Sequence, residues 1–167
     1  MLPDLRSGRI VAGQSHPLAE LLQCPPETAN LLNAAAQSIN LDAGGIVFRQ
    51  SEVCRGLYVI CSGQFVRKAE RLATRLTLGS ARAGDLVELA AALGDGRHTY
   101  TLVAQNAGVA LLLPVEVLNR AFEGYPPLRM RLLEELAREV SRGYDASCQS
   151  RIRKTRRRSA GIPRVGA

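Results

Sequence analysis

The chain is predicted to be mainly β: an antiparallel roll or jelly roll with flanking helices, followed by one long C-terminal helix. Three observations lead there. Short strand-like runs bounded by turn residues recur at spacings near ten residues from Gly45 to Leu113, as expected of closed antiparallel architectures rather than parallel sheets. Helical periodicity is confined to the two ends. Past Pro127, the residues Leu128, Leu132, Leu133, Leu136, Ala137, Val140 and Tyr144 follow spacings of three and four, which lay an apolar stripe along a helix. The organisation read from this is a loose N-terminus over residues 1–14, a roll domain with N-terminal helices over 15–125, a long helix over 126–150 and a basic, disordered tail over 151–167.

In chain order, Ser15 followed by Pro17 reads as an N-cap with proline in the first turn, opening a short helix over Leu18, Leu21 and Leu22. Pro25 and Pro26 stop it and start another. Leu31, Leu32, Ala35, Ala36 and Ile39 then fall at helical spacing, so a second helix is expected from Glu27 to about Ile39. After a turn at Asp42–Gly45, Ile46 and Phe48 alternate with polar neighbours, Ser51-Glu52 reads as a turn and Leu57–Cys61 as a short buried strand. Ser62-Gly63 is expected to close a tight hairpin into Phe65-Val66-Arg67-Lys68, and a second hairpin near Arg71 returns through Leu76 and Leu78. Thr99–Val103 and Val109–Leu113 read as two more strands. Pro114 ends the strands, Val115–Phe122 suits two helical turns, and Gly124-Tyr125-Pro126-Pro127 is a break before the long helix.

With 167 residues the chain is one domain plus an appendage, large enough to bury a core. No apolar run approaches a membrane span and no signal-peptide pattern opens the chain, so a cytoplasmic location is expected. The formal net charge of +7 is concentrated at one end. Residues 151–167 hold Arg151, Arg153, Lys154, Arg156, Arg157, Arg158 and Arg164 and no acid, leaving 15 basic and 15 acidic residues in the rest. That basic run is a weak candidate for salt-sensitive phosphate contact with nucleic acid. Cys24, Cys54, Cys61 and Cys148 form no C-x-x-C pair, and the two histidines are His16, ahead of the roll, and His98, within it. A cupin-type oxygenase or a hydrolytic triad needs more histidine than that, so no metal site, no catalytic residue and no enzymatic activity are expected.

The stretch AGDLVELAAALGDGRHTYTLVA, Ala83 to Ala104, carries the candidate binding chemistry. A strand-like run reaches Gly84, a short helix opens at Glu88, and a polar loop follows with Gly94, Gly96, Arg97 and His98. Exposed amides at such a helix start, glycines that allow close backbone approach and an arginine nearby form the layout of an anion pocket. The candidate effector-binding residues are Gly84, Val87, Glu88, Leu89, Ala90, Arg97, His98 and Thr99. The effector is expected to be a small anion or nucleotide.

The order of these signals resembles the cyclic-nucleotide-binding domain of the Crp/Fnr regulator family from about Leu18 to Ile152. Gly56-Leu57-Tyr58-Val59-Ile60 with Ser62-Gly63, and Gly84-Asp85-Leu86, carry the resemblance most specifically. It implies a β-roll that holds a small effector, a homodimer through the long helix at Leu128, Leu132, Leu133, Leu136, Val140 and Tyr144, and a DNA-reading helix-turn-helix in full-length members. A long amphipathic helix either lies back on its own domain or pairs with its twin. Pairing is favoured because the stripe resembles a coiled-coil seam, although Gly143 weakens it.

Two departures from the family are visible. Members that bind cyclic AMP usually read Gly-Glu-Leu-Ala, with the Glu on the ribose hydroxyl and an Arg about ten residues later on the phosphate. This chain reads Val87-Glu88-Leu89-Ala90. Aligned from Ala104, Glu88 takes the ribose-binding place, Arg97 falls one residue short and His98 stands for the Arg. Aligned from Gly84, Glu88 takes the Gly place and Leu89 the Glu place. Either way one of the pair is displaced or lost; each is worth roughly 1.5–3 kcal/mol, missing both costs on the order of a hundredfold or more, and weak or absent cyclic AMP binding is expected. The second departure is the ending, KTRRRSAGIPRVGA, which lacks the periodicity of a reader domain and suggests a truncated, frameshifted or shortened regulator. A dimerising partner-binding module without a small-molecule ligand is the competing reading.

Overall fold

The computed structural model describes residues 17–159. Among them, eight strands form two four-stranded antiparallel sheets, ordered β1-β8-β3-β6 and β2-β7-β4-β5, with two helices before the roll, one within it and two after it. The first helix, α1 (Pro17–Leu22), buries Leu18 and Leu22; the serine expected to cap it lies outside the described residues. The second, α2 (Pro26–Ala35), has proline in its first turn and buries Ala29 and Leu32.

Here the structure departs from the periodicity. Ile39, expected on α2, lies in strand β1 (Gln37–Leu41), opposite Ala110. Ala36 turns extended at φ −64° and ψ 138°, and the central Ser-Ile-Asn of the run Gln-Ser-Ile-Asn-Leu are weaker helix formers, with one β-branched residue that a ladder accommodates. The apolar spacing that continued the helix to Ile39 was a coincidence of strand alternation.

Strands β2 (Ile46–Phe48), β3 (Gly56–Ser62) and β4 (Gln64–Arg71) follow. The expected hairpin at Ser62-Gly63 does not form. β3 pairs with β6 (Leu86–Val87) and β8 (Gly108–Pro114), whereas β4 pairs with β5 (Thr74–Arg82) and β7 (Thr101–Ala104). Gly63, at φ +85°, therefore carries the chain from one sheet to the other. Any side chain there would meet the backbone of Gly108 and Ala107. The second expected hairpin does form: Arg71 faces Thr74 across a turn made by Leu72 and Ala73, both left-handed.

Both faces of β3 are buried, which explains its unbroken apolar sequence. Leu57 and Val59 face a core shared with Leu18, Leu22, Leu32, Leu113 and the later helices. Tyr58 and Ile60 face the layer between the sheets, with Phe48, Phe65, Leu102 and Leu112. Pro114 ends β8 and precedes α4 (Val115–Gly124). The long helix, α5, runs Pro126–Ser159 and so continues over residues 151–159, where a tail was expected. Arginine and lysine are good helix formers and no glycine or proline interrupts the run before Gly161. Residues 1–16 and 160–167, and the side chains of Arg156, Arg157 and Arg158, lie outside what is described.

Only the first part of α5 belongs to the roll. Leu128 and Leu132 are buried in the first core, and Leu133 and Leu136 are half-buried. Val140 and Tyr144 are 62% and 70% exposed, and Ile152 is exposed too. Leu128 and Leu132 thus pack within their own chain, while Val140 and Tyr144 are uncovered.

Candidate functional site

Glu88 begins the short helix α3 (Leu89–Leu93) from a left-handed conformation, φ 70° and ψ 34°, and is only 2% exposed. That conformation is uncommon for a residue other than glycine, and three contacts to its carboxylate accompany it here. Its Oε2 lies 3.0 Å from His98 Nδ1 and accepts from the Thr99 amide at 3.3 Å, while Oε1 accepts from the Thr99 hydroxyl at 2.9 Å. The His98 ring is buried and stacked on Phe48, with centroids 3.8 Å apart. The Glu88 amide donates to the Tyr100 hydroxyl at 3.3 Å.

Arg97 goes elsewhere. It is exposed, and its Nη1 donates to the Ser51 carbonyl at 2.9 Å. Val87 is buried between the sheets and Ala90 is exposed. The expected effector residues therefore split: Glu88, His98 and Thr99 converge on one another, Arg97 pairs with the neighbouring turn, and Gly84 and Leu89 line a separate recess.

That recess, about 530 Å³, opens between the end of α1, the roll and α5. Leu21, Leu22 and Gln23 form one wall; Arg67 of β4 and Gly84, Asp85, Leu86 and Leu89 form the floor. From α5 come Arg131, Leu132, Glu134, Glu135, Arg138, Glu139 and Arg142. Glu134, Glu135, Arg138 and Glu139 lie off the apolar stripe of α5, where helical spacing alone leads to a solvated face. They instead line the recess, because α5 crosses the roll at Leu132 and leaves a gap beyond it that side chains flanking the stripe reach. Arg67 Nε donates to the Tyr100 hydroxyl at 3.3 Å and its Nη1 to the Ser80 carbonyl at 3.0 Å, which fixes the guanidinium at the floor. Arg138 pairs with Glu135 at 2.7 Å and Glu134 at 3.6 Å, Arg142 with Glu135 at 3.9 Å, and Arg131 donates to the Gln23 carbonyl. Arg67 in a strand and Arg131, Glu135, Arg138 and Arg142 at helical spacing were the available signals, but only their convergence marks them.

Glu139 keeps much of its surface exposed, but desolvation on the recess wall raises its carboxyl above the ordinary 4.5, an effect opposed by Arg67 and reinforced by Glu88, Glu135 and Asp85. Since the folded chain then holds this proton more tightly than the unfolded one, ionising Glu139 costs stability as pH rises from about 4.5 through the raised value. Glu139→Gln is expected to melt higher than the wild type at pH 7. The difference should vanish below the ordinary carboxyl range, where the wild-type group is neutral in both states; paired melts at pH 7 and pH 3 check this. Burial also pushes the Cys54 and Cys61 thiols and the Tyr100 hydroxyl up, so none of them is a ready nucleophile near neutral pH.

Among the described residues no helix is long and apolar enough to cross a membrane. A family model described as a cyclic nucleotide-binding domain matches residues 38–125, just over half of the chain. No curated protein matches it in sequence. The fold is similar to that of the sensor domain of the transcriptional regulator DNR from Pseudomonas aeruginosa, at 23% identity and a TM-score of 0.64, covering 77% of this chain and 85% of that one. It is also similar to the Thermus thermophilus catabolite activator protein, at 24% identity and 0.65, covering 75% of this chain and 59% of that one. The N-terminal domain of a transcriptional regulator from Streptomyces coelicolor superposes at 22% identity and 0.59, covering 76% and 91%.

Proposed function

The chain belongs to the cyclic nucleotide-binding domain family, and from that premise we propose that it is the effector-sensing module of a Crp/Fnr-type transcription regulator, acting by binding rather than catalysis. The observation that carries this reading is the recess. Its floor belongs to the roll and its far wall to α5, so a ligand spanning Arg67 and the Arg138–Glu139 segment stabilises one position of the helix relative to the roll. The charged side chains of the lining are mixed: Arg67, Arg131, Arg138 and Arg142 against Asp85, Glu134, Glu135 and Glu139. That set suits a small molecule with an anionic group and several hydroxyls or amines, not a bare polyanion. Cyclic AMP is expected to bind weakly, because the Glu88 carboxylate is occupied by His98 and Thr99, and Arg97 is held at Ser51. From Pro126 to Ser159 the chain is one helix, and no paired helices of the groove-entering kind follow α4 among the described residues.

The test is a thermal melt with cyclic AMP, cyclic GMP and inorganic phosphate, each at millimolar concentration. A ligand at ten times its dissociation constant adds about 1.4 kcal/mol, a shift of a few degrees for a domain of this size. At least one of the two nucleotides is expected to produce that shift, which Arg67→Ala should abolish, phosphate is expected to produce none, and calorimetry should find no micromolar affinity for cyclic AMP. If no compound shifts the wild type, the second reading holds: a ligand-free module that pairs through Val140, Tyr144 and Ile152, exposed apolar side chains of α5 beyond its seat on the roll. Sedimentation would then show a dimer.

A further inference from the structure

We propose that Cys54, Glu88 and His98 form a binding site for one transition-metal ion of the zinc type, separate from the recess and independent of whether an effector binds there. One ligand atom from each residue, the Cys54 sulfur, a Glu88 carboxylate oxygen and a His98 ring nitrogen, lies within 4.8 Å of the other two, and all three residues are buried. In a tetrahedral zinc site, bond lengths near 2.0–2.3 Å put neighbouring ligand atoms about 3.4–3.6 Å apart. The Glu88–His98 pair already stands at 3.0 Å and opens slightly, while the other pairs, none wider than 4.8 Å, need to close by about 1 Å at most.

The scaffold holds the donors in place before any ion arrives. The segment before Cys54 and the loop before His98 are zipped together. The Cys54 amide donates to the Gly96 carbonyl at 2.7 Å, the His98 amide to Glu52 at 2.9 Å and the Ser51 amide to the His98 carbonyl at 2.8 Å, with Val53 bridged to Arg97. Phe48 fixes the imidazole plane by stacking, and the Thr99 hydroxyl orients the Glu88 carboxylate from its outer side. Ligands braced by outer hydrogen bonds in this way are a recurring property of protein metal sites.

The donor set selects the ion. Calcium and magnesium take oxygen ligands, whereas one sulfur, one nitrogen and one oxygen suit zinc and its first-row neighbours, with water in the fourth position. Charge agrees as well: a divalent ion with a thiolate, a carboxylate and a neutral imidazole sums to zero, the state least penalised in a buried place. On binding, the Cys54 thiol gives its proton to solvent, and the neutral imidazole takes the metal on one ring nitrogen and keeps its single proton on the other. Residues 54, 88 and 98 have no motif spacing, and a lone histidine inside the roll argued against a metal in the sequence. The αL start of α3 and the loop that returns at His98 bring them together.

The experiment titrates the full chain, first stripped with a chelator, with Zn²⁺ and separately with Co²⁺. Zn²⁺ is expected to bind at one equivalent and raise the melting temperature by several degrees, and Co²⁺ to show a thiolate charge-transfer band in the near ultraviolet. Cys54→Ala, which replaces a buried thiol by a methyl group of similar character, and His98→Gln should each weaken binding by a hundredfold or more. Cys24→Ser, Cys61→Ser and Cys148→Ser should leave it unchanged. Absence of a bound equivalent, a cobalt adduct without the thiolate band, or undiminished affinity in Cys54→Ala each overturns the proposal. The cobalt spectrum of the wild type decides the matter even where a variant fails to fold.

Discussion

Gly56→Ala will lose more stability than any other single-methyl addition among the described glycines, and the cause is backbone rather than side chain. A Cβ at residue 56 would stand 1.9 Å from the Leu113 carbonyl oxygen, 2.8 Å from its carbon and 3.0 Å from the Pro114 Cα. β3 and β8 are the central pair of the first sheet, with Gly56 opposite Pro114 and Leu57 opposite Leu113. No rotamer change relieves such a clash; the strands must part, and with them the packing of Leu57, Val59 and Leu113. Overpacking that shifts backbone in a core exceeds the usual 1–3 kcal/mol, so a loss of about 4 kcal/mol is expected against a total of roughly 5–15 kcal/mol. At about 2–4 °C per kcal/mol, the melting temperature should fall by roughly 8–16 °C. Gly143→Ala is the control. Nothing lies within 4 Å of a Cβ there, inside α5, and alanine should instead stabilise by about 0.5–1 kcal/mol.

The second large effect is expected at Leu128→Ala. Leu128 is fully buried and sits one turn before Leu132, the two residues by which α5 is seated in the first core. Removing a buried leucine side chain costs about 2–5 kcal/mol, depending on how far the site collapses. The same substitution at Val140, with most of its surface in solvent, should change the stability of the single chain by less than about 0.5 kcal/mol. Chemical denaturation of the two variants reads the contrast directly. Equal losses would mean that the exposed half of α5 is packed in solution. Because α5 supplies the far wall of the recess, Leu128→Ala is also expected to weaken whatever ligand the wild type binds.

The roll was legible in the sequence because strand alternation and turn residues are local, as β3, the Leu72-Ala73 turn and the Pro114 boundary illustrate. What failed was non-local. Ile39 satisfied a helical period and a strand period at once, and only its pairing with Ala110 decides between them. Gly63 has the conformation a hairpin needs, but the partners of β3 and β4 send the chain across to the other sheet. In the site, the sequence singled out Glu88, His98 and Thr99 without indicating that they face one another. It passed over Arg67 and Glu139 because a charged residue on a strand or helix is ordinarily solvated, and the gap they line exists only once α5 is laid across the roll.

The unbroken run of α5 to Ser159 makes it a lever with its fulcrum at Leu132. At 1.5 Å per residue the arm beyond that point is about 40 Å long, so a pivot of about 5° sweeps its far end through roughly 3.5 Å. Movements too small to disturb the roll are thereby magnified at the distal end of the arm.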